Sequence, residues 1–189
     1  MNDALANYIN RYVPFTEDEL AIFQQKLVER KFEKGSTLLE AGNTSKQLFF
    51  IIEGLVRSYY IDNKGNEKIT SFGKEHWWVT DMESFIHQTP SQLFISALEP
   101  CTVLTLTKDR LDELYIEVPK VERLFRLITE RWLIALQRSS FYYMKATSKD
   151  RYYNMVKLIP NFVNRVPQYM IASYLDITPE YLSELRRSH

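Results

Sequence analysis

Two hydrophobic periods divide the chain. Leu5, Tyr8 and Ile9 make one short apolar face at helical spacing, and Leu20, Phe23, Leu27 and Val28 make another. They predict helices over residues 3–11 and 16–30, the second capped by Thr16 with Glu17, Asp18 and Glu19 in its first turn. Phe32-Glu33-Lys34-Gly35 reads as a turn. From Ser36 to Leu106 the pattern becomes short β-rich runs: TLLEAGN, QLFFIIEG, VRSYYID, EKITSF, QLFISALE and CTVLTL. Gly42-Asn43, Glu53-Gly54 and Asn63-Lys64-Gly65-Asn66 between them are turn chemistry. Several short strands at such spacing predict an antiparallel sandwich or barrel. Lys74 to Gln92 is not strand-like and reads as a connection holding a short helix.

Pro119 then starts a long helical pattern. Val121, Phe125, Ile128, Trp132, Ala135, Ser139 and Tyr142 are spaced 4, 3, 4, 3, 4, 3. That is an a/d seam, the pattern of a two-stranded helix interface, so these seven predict a homodimer, although an amphipathic core helix of a single chain shows a similar pattern. Leu124, Leu133 and Leu136 form a second apolar line suited to packing on the barrel. Lys145-Ala146-Thr147-Ser148 reads as a hinge, with Ser148 capping a helix to about Leu158 and Pro160-Asn161 ending it. Val166 to Arg187 reads as two short helices joined at Asp176-Ile177. Thr178-Pro179-Glu180 opens the second, where threonine caps, proline fits the first position and glutamate suits the positive helix end. Leu182 and Leu185 point inward and the polar residues point out, the signature of a helix-turn-helix whose second helix enters the DNA major groove.

Composition narrows the possibilities. The 189 residues are enough for one large domain or two small ones. Lys plus Arg and Asp plus Glu both number 24, so the net charge is zero, yet Lys145 to His189 holds seven basic against four acidic residues. That is a weak local basic footprint. One cysteine, Cys101, allows no intrachain disulfide framework and no cysteine-ligated iron–sulfur cluster. No apolar run approaches the ~20 residues of a membrane span, and the N-terminus does not read as a secretory signal, so the expectation is a cytoplasmic protein with no membrane partner.

The order of elements, with FEKGSTLLEAGN…QLFFIIEGLVRSY (Phe32 to Tyr59) and IASYLDITPEYLSELR (Ile171 to Arg186), resembles the Crp/Fnr family of bacterial transcription regulators. The resemblance implies an α+β fold. A cyclic-nucleotide-binding-type β-barrel or jelly roll would form the sensor over 1–118, a dimerisation helix and hinge 119–146, and an all-α helix-turn-helix unit 147–189. It implies a homodimer on a double-stranded DNA operator, responding to a small-molecule effector, with RNA polymerase as a further partner. Cyclic-nucleotide members of the family carry a Gly-Glu pair and, ten residues after the Glu, an Arg-Ser pair. Aligned on Phe85 and Pro119, this chain has Thr80-Asp81 and Ser91-Gln92 there. Asp81 still accepts from a hydroxyl, but Ser91 supplies neither charge nor fork. An unpaired buried phosphate is costly, so cyclic AMP is not expected as the effector. Thr80, Asp81, Met82, Ser91, Gln92 and, on the long helix, Gln137 are the ligand-site candidates. Trp77, Trp78 and Phe85 serve equally as pocket walls or as core.

On the DNA side, Thr178, Glu180, Tyr181, Ser183 and Glu184 are expected to face base edges, and Arg186, Arg187, Lys149 and Arg151 to neutralise phosphates. Glu180 matches a family glutamate that accepts from cytosine, whereas Glu184 stands where an arginine commonly reads guanine. Only Pro160 to Val166 separates the last two helical units, too short for the family's β-hairpin wing. No enzymatic constellation is visible: His76 and His87 are isolated without metal-pair spacing, Asp81 and Glu83 diverge, and Cys101 lacks an activating base. A sensor module whose helix-turn-helix no longer binds DNA is the alternative, and a small enzyme built on the barrel is a third reading.

Overall fold

The computed structural model describes residues 3–159 and 161–187. Two helices, α1 (Asp3–Asn10) and α2 (Glu17–Gln25), precede the strands. Thr16 and Glu19 close a reciprocal capping box at the start of α2. Helical spacing had carried this helix to residue 30, but it ends at Gln25, and β1 (Val28–Phe32) begins at once. Pairing with β8 (Cys101–Thr107), from Val28 opposite Thr105 to Phe32 opposite Cys101, overrides the local pattern. β1 lies at a sheet edge, where Glu29, Arg30 and Lys31 discourage further pairing.

The remaining strands are β2 (Thr37–Leu39), β3 (Gln47–Glu53), β4 (Val56–Ile61), β5 (Glu67–Gly73), β6 (Trp78–Val79) and β7 (Phe94–Ala97). They form two four-stranded antiparallel sheets, β1-β8-β3-β6 and β2-β7-β4-β5. The stretch Lys74–Gln92 holds the expected short helix, α3 (Met82–His87), but also strand β6, which its polar surroundings hid. Leu39, Phe49, Ile51, Val56, Ile95, Ala97, Cys101 and Val103 fill the space between the sheets. Their neighbours Leu48, Phe50, Leu104 and Leu106 face the other way, onto α1, α2, α4 (Lys108–Glu117) and the start of α5 (Lys120–Lys145). β3 is therefore apolar on both faces because both are covered. α4 has no counterpart among the sequence expectations; Thr107 caps it, and Leu111 and Leu114 are buried.

After α5 come α6 (Ser148–Leu158), α7 (Phe162–Arg165), α8 (Gln168–Leu175) and α9 (Pro179–Arg187). The cap of α6 is Thr147, not Ser148: Thr147 and Asp150 form a capping box. Pro160 lies outside the described residues, and Asn161, in left-handed conformation, leads into α7. The β2-β7-β4-β5 sheet is also covered outside. Tyr59, Ile69 and Phe72 share an apolar layer with Phe162, Met170, Ile171 and Leu175. Phe72 meets both Phe162 and Tyr174 in ring contacts. Arg165 fixes this docking, donating to Glu75 and Glu99 of the roll at 2.5 Å each. Among the described residues no strand lies between α6 and α8, and no helix is long and apolar enough to cross a membrane.

Candidate functional site

At the cassette position the polar residues satisfy one another. Asp81 caps α3, accepting from the Ser84 amide at 3.2 Å and from Ser91 Oγ at 2.7 Å. Thr80 Oγ1 bonds Ser45 Oγ at 2.8 Å and donates to the Gln47 carbonyl at 3.1 Å. The Ser45 amide donates to Ser84 Oγ, which donates onward to the Thr89 carbonyl. Ser45, Ser84 and Ser91 are buried. Burial without partners is costly, and these bonds supply them. Both Asp81 oxygens are engaged, and none of the side chains bonded within the knot is a cation. Thr80, Asp81 and Ser91 are thus brought together, with Met82 beside them against the core. Gln92 and Gln137 are exposed and take no part. Ser45, unmarked in the sequence because serine carries no local pattern, is the residue that closes the knot. A cavity of about 170 Å³ opens beside it, lined by Leu38, Glu40, Asn43, Lys46 and Phe49 among others. Trp78 and Phe85 belong to the core, while Trp77 is exposed.

Cys101 is buried, and burial pushes its thiol up to about 11, so it is protonated at neutral pH. His76 stacks on Phe50.

Along α5 the seam divides in two. Val121 and Leu124 are fully buried against the chain's own core, and Phe125 and Ile128 pack partly on it. Val121 therefore cannot meet a second copy, a correction to its place in the seam. From Thr129 to Lys145 every residue is exposed, including Trp132, Ala135, Ser139 and Tyr142. Leu133 and Leu136 do not pack on the barrel; they are 55% and 51% exposed. α5 leaves the sheet after two turns, and the apolar Trp132, Leu133, Leu136 and Phe141 of its later turns stay largely exposed. At its end the Tyr143 hydroxyl donates to the Tyr174 carbonyl of α8 at 2.9 Å, a tie between α5 and the helix pair.

The helix pair is built from short-range rules. α8 buries Met170, Ile171, Ala172 and Leu175. Asp176 takes the left-handed conformation, and the Ile177 amide reaches back to the Ala172 carbonyl at 3.0 Å, a Schellman closure. The Tyr181 amide donates to Thr178 Oγ1, and Leu182 and Leu185 anchor α9. Glu180, Tyr181, Glu184 and Arg187 are exposed on α9 and Thr178 just before it, while Ser183 and Arg186 are half-buried. Lys149 is exposed on α6. Arg151 is not a free phosphate contact: its guanidinium stacks 4.3 Å from the Tyr143 ring centroid and donates to Ser148 Oγ. Sequence reading missed the docking residues Glu75, Glu99 and Arg165; the outward apolar Tyr59, Ile69 and Phe72 were the available signal that this sheet face is covered.

Residues 29–117 match the cyclic nucleotide-binding domain model. Electron transport regulator A of Shewanella oneidensis is 28% identical over 192 aligned positions, covering 92% of this chain and 74% of that protein. The fumarate and nitrate reduction regulatory protein of Escherichia coli is 32% identical over 123 positions, 62% of this chain and 48% of that protein. The chain thus spans about half the length of several relatives it matches. In fold it is similar to the c-di-GMP responsive global regulator CLP of Xanthomonas campestris, with a TM-score of 0.70 at 13% identity over 92% of this chain and 91% of that one. The catabolite activator protein of Thermus thermophilus gives 0.58 at 16% identity over 96% and 85%. The chain thus carries a match to the cyclic nucleotide-binding domain, and in sequence and fold it is similar to regulators of the Crp/Fnr family.

Proposed function

We propose that the protein is a homodimeric, cytoplasmic, DNA-binding regulator whose roll does not answer to cyclic AMP. In this reading residues 1–118 act as sensor, 119–146 as dimer helix and hinge, and 147–189 as DNA reader. The observation that carries it is α9. Leu182 and Leu185 hold it to α8, and it presents Thr178, Glu180, Tyr181 and Glu184 outward with Arg186 and Arg187 at its end. Arginines at that end and Lys149 supply phosphate contacts; Glu180 accepts from cytosine. Glu184 cannot donate to guanine, so the operator differs from the usual family site. The exposed stretch of α5, Trp132 to Tyr142, supports pairing of two copies, with Ile128 at its margin.

The closed knot around Asp81 and Ser91 supports independence from cyclic nucleotides, since a phosphate entering there meets the Asp81 carboxylate and a serine in place of a cation, while Lys46 of the neighbouring cavity is exposed to water. Calorimetry with cyclic AMP and cyclic GMP is expected to show no low-micromolar binding; such binding of either would contradict the reading. A salt-dependent gel shift with genomic fragments tests the DNA reading itself.

A further inference from the structure

A second polar constellation lies apart from the knot and from α9. A cavity of about 200 Å³ opens where the outer face of the β2-β7-β4-β5 sheet meets the start of α8. Lys34, Arg57, Tyr59 and Ser96 line one side, and Pro167, Tyr169 and Met170 the other. Arg57 is 8% exposed. Its Nε donates to Ser96 Oγ at 3.0 Å, its Nη atoms reach the two Glu67 oxygens at 2.5 and 3.1 Å, and its guanidinium lies 4.1 Å from the Tyr59 ring centroid. Val56 and Ala97, the chain neighbours of Arg57 and Ser96, point into the layer between the sheets, so Arg57 and Ser96 occupy the far face. Tyr59, Ile69 and Phe72 make much of the surrounding surface apolar, and a buried arginine contributes less to packing there than an aliphatic residue would.

Three features define what would fit. Ser96 and Tyr59 hold the guanidinium in place before any ligand arrives, and its fork matches a carboxylate. Its present counter-ion is replaceable, because the Glu67 side chain is 40% exposed and can turn to water with little desolvation. Tyr59, Leu98, Tyr169 and Met170 offer apolar walls around a space smaller than pockets for drug-sized ligands, which run to about 300–1,000 Å³. We propose that this cavity binds a small organic carboxylate with a flat apolar body, its carboxylate replacing Glu67 on Arg57. The occupant would touch both the roll and the first helix of the DNA reader.

Calorimetry on the full chain with benzoate, and with benzamide as the neutral isostere, tests this without reference to DNA. Expected is saturable binding of benzoate, one per chain, with benzamide at least about tenfold weaker because it loses the charged fork contact. Glu67→Gln should tighten benzoate binding severalfold, since no carboxylate need be displaced, and benzoate should raise the Tm of E67Q more than that of the native chain. Arg57→Gln should abolish binding. No saturable heat with either the native chain or E67Q would overturn the proposal, as would equal affinity for benzoate and benzamide. If R57Q fails to fold, the E67Q comparison decides alone.

Discussion

Arg165 carries more of the tertiary structure than its place in the sequence suggests. It lies 66 residues from Glu99 and 90 from Glu75, and no local pattern pairs them. Burial raises the Glu75 carboxyl, but the Arg165 hydrogen bond and charge, with backbone donors, outweigh it and hold it below the ordinary value of 4.5. A depressed folded-state pKa gives stability that is full above the unfolded value and lost as pH falls through the folded one. The urea midpoint should therefore drop more between about pH 6 and about pH 3 for the native chain than for Glu75→Gln. Arg165→Met, which strands two part-buried carboxylates, should cost about 2 kcal/mol at neutral pH, read from the same denaturation curves. By contrast, the substitution of Ser91 for a cation and the turn conformation of Asp176 were legible, because each depends on one residue's own chemistry. The knot was not, since Ser45 meets Thr80 and Ser84 only after two segments some 35–39 residues apart fold together.

At the scale of elements, period identified α5, α8 and α9, and turn residues delimited most strands. Period did not say which face each helix would bury. Val121 and Trp132 are equivalent by spacing, yet one is fully buried and the other 46% exposed, because α4 and the sheet reach only the first turns of α5. β1 was misread for a related reason: Leu27 and Val28 continue a helical spacing, and only a partner 77 residues away, Thr105, makes Val28 a strand residue. If the exposed stretch of α5 pairs two copies, Trp132→Glu should convert a dimer to a monomer in sedimentation equilibrium while leaving the far-ultraviolet circular dichroism unchanged. A folded native chain that sediments as a monomer at high concentration would sink the dimer reading. α7, the four-residue helix no pattern announced, should be indispensable. Its Phe162 is fully buried, so Phe162→Ala should lose about 3–5 kcal/mol in denaturant melts.

Across the whole molecule the described residues stack as helices, sheet, apolar filling, sheet, helices. The roll therefore meets the helix pair through shared core, not only through the short connection between Lys145 and Ser148. The outer face of the β2-β7-β4-β5 sheet touches α8 through β5, and α8 in turn packs on α9. In the proposed function α9 reads double-stranded DNA. The most direct test is a fluorescence anisotropy titration of labelled genomic fragments and a random duplex across a range of salt. The expected result is affinity whose logarithm falls linearly with the logarithm of salt concentration, a slope that Arg187→Gln lowers by about 1. Failure to bind either duplex at low salt, with the chain folded, would contradict it.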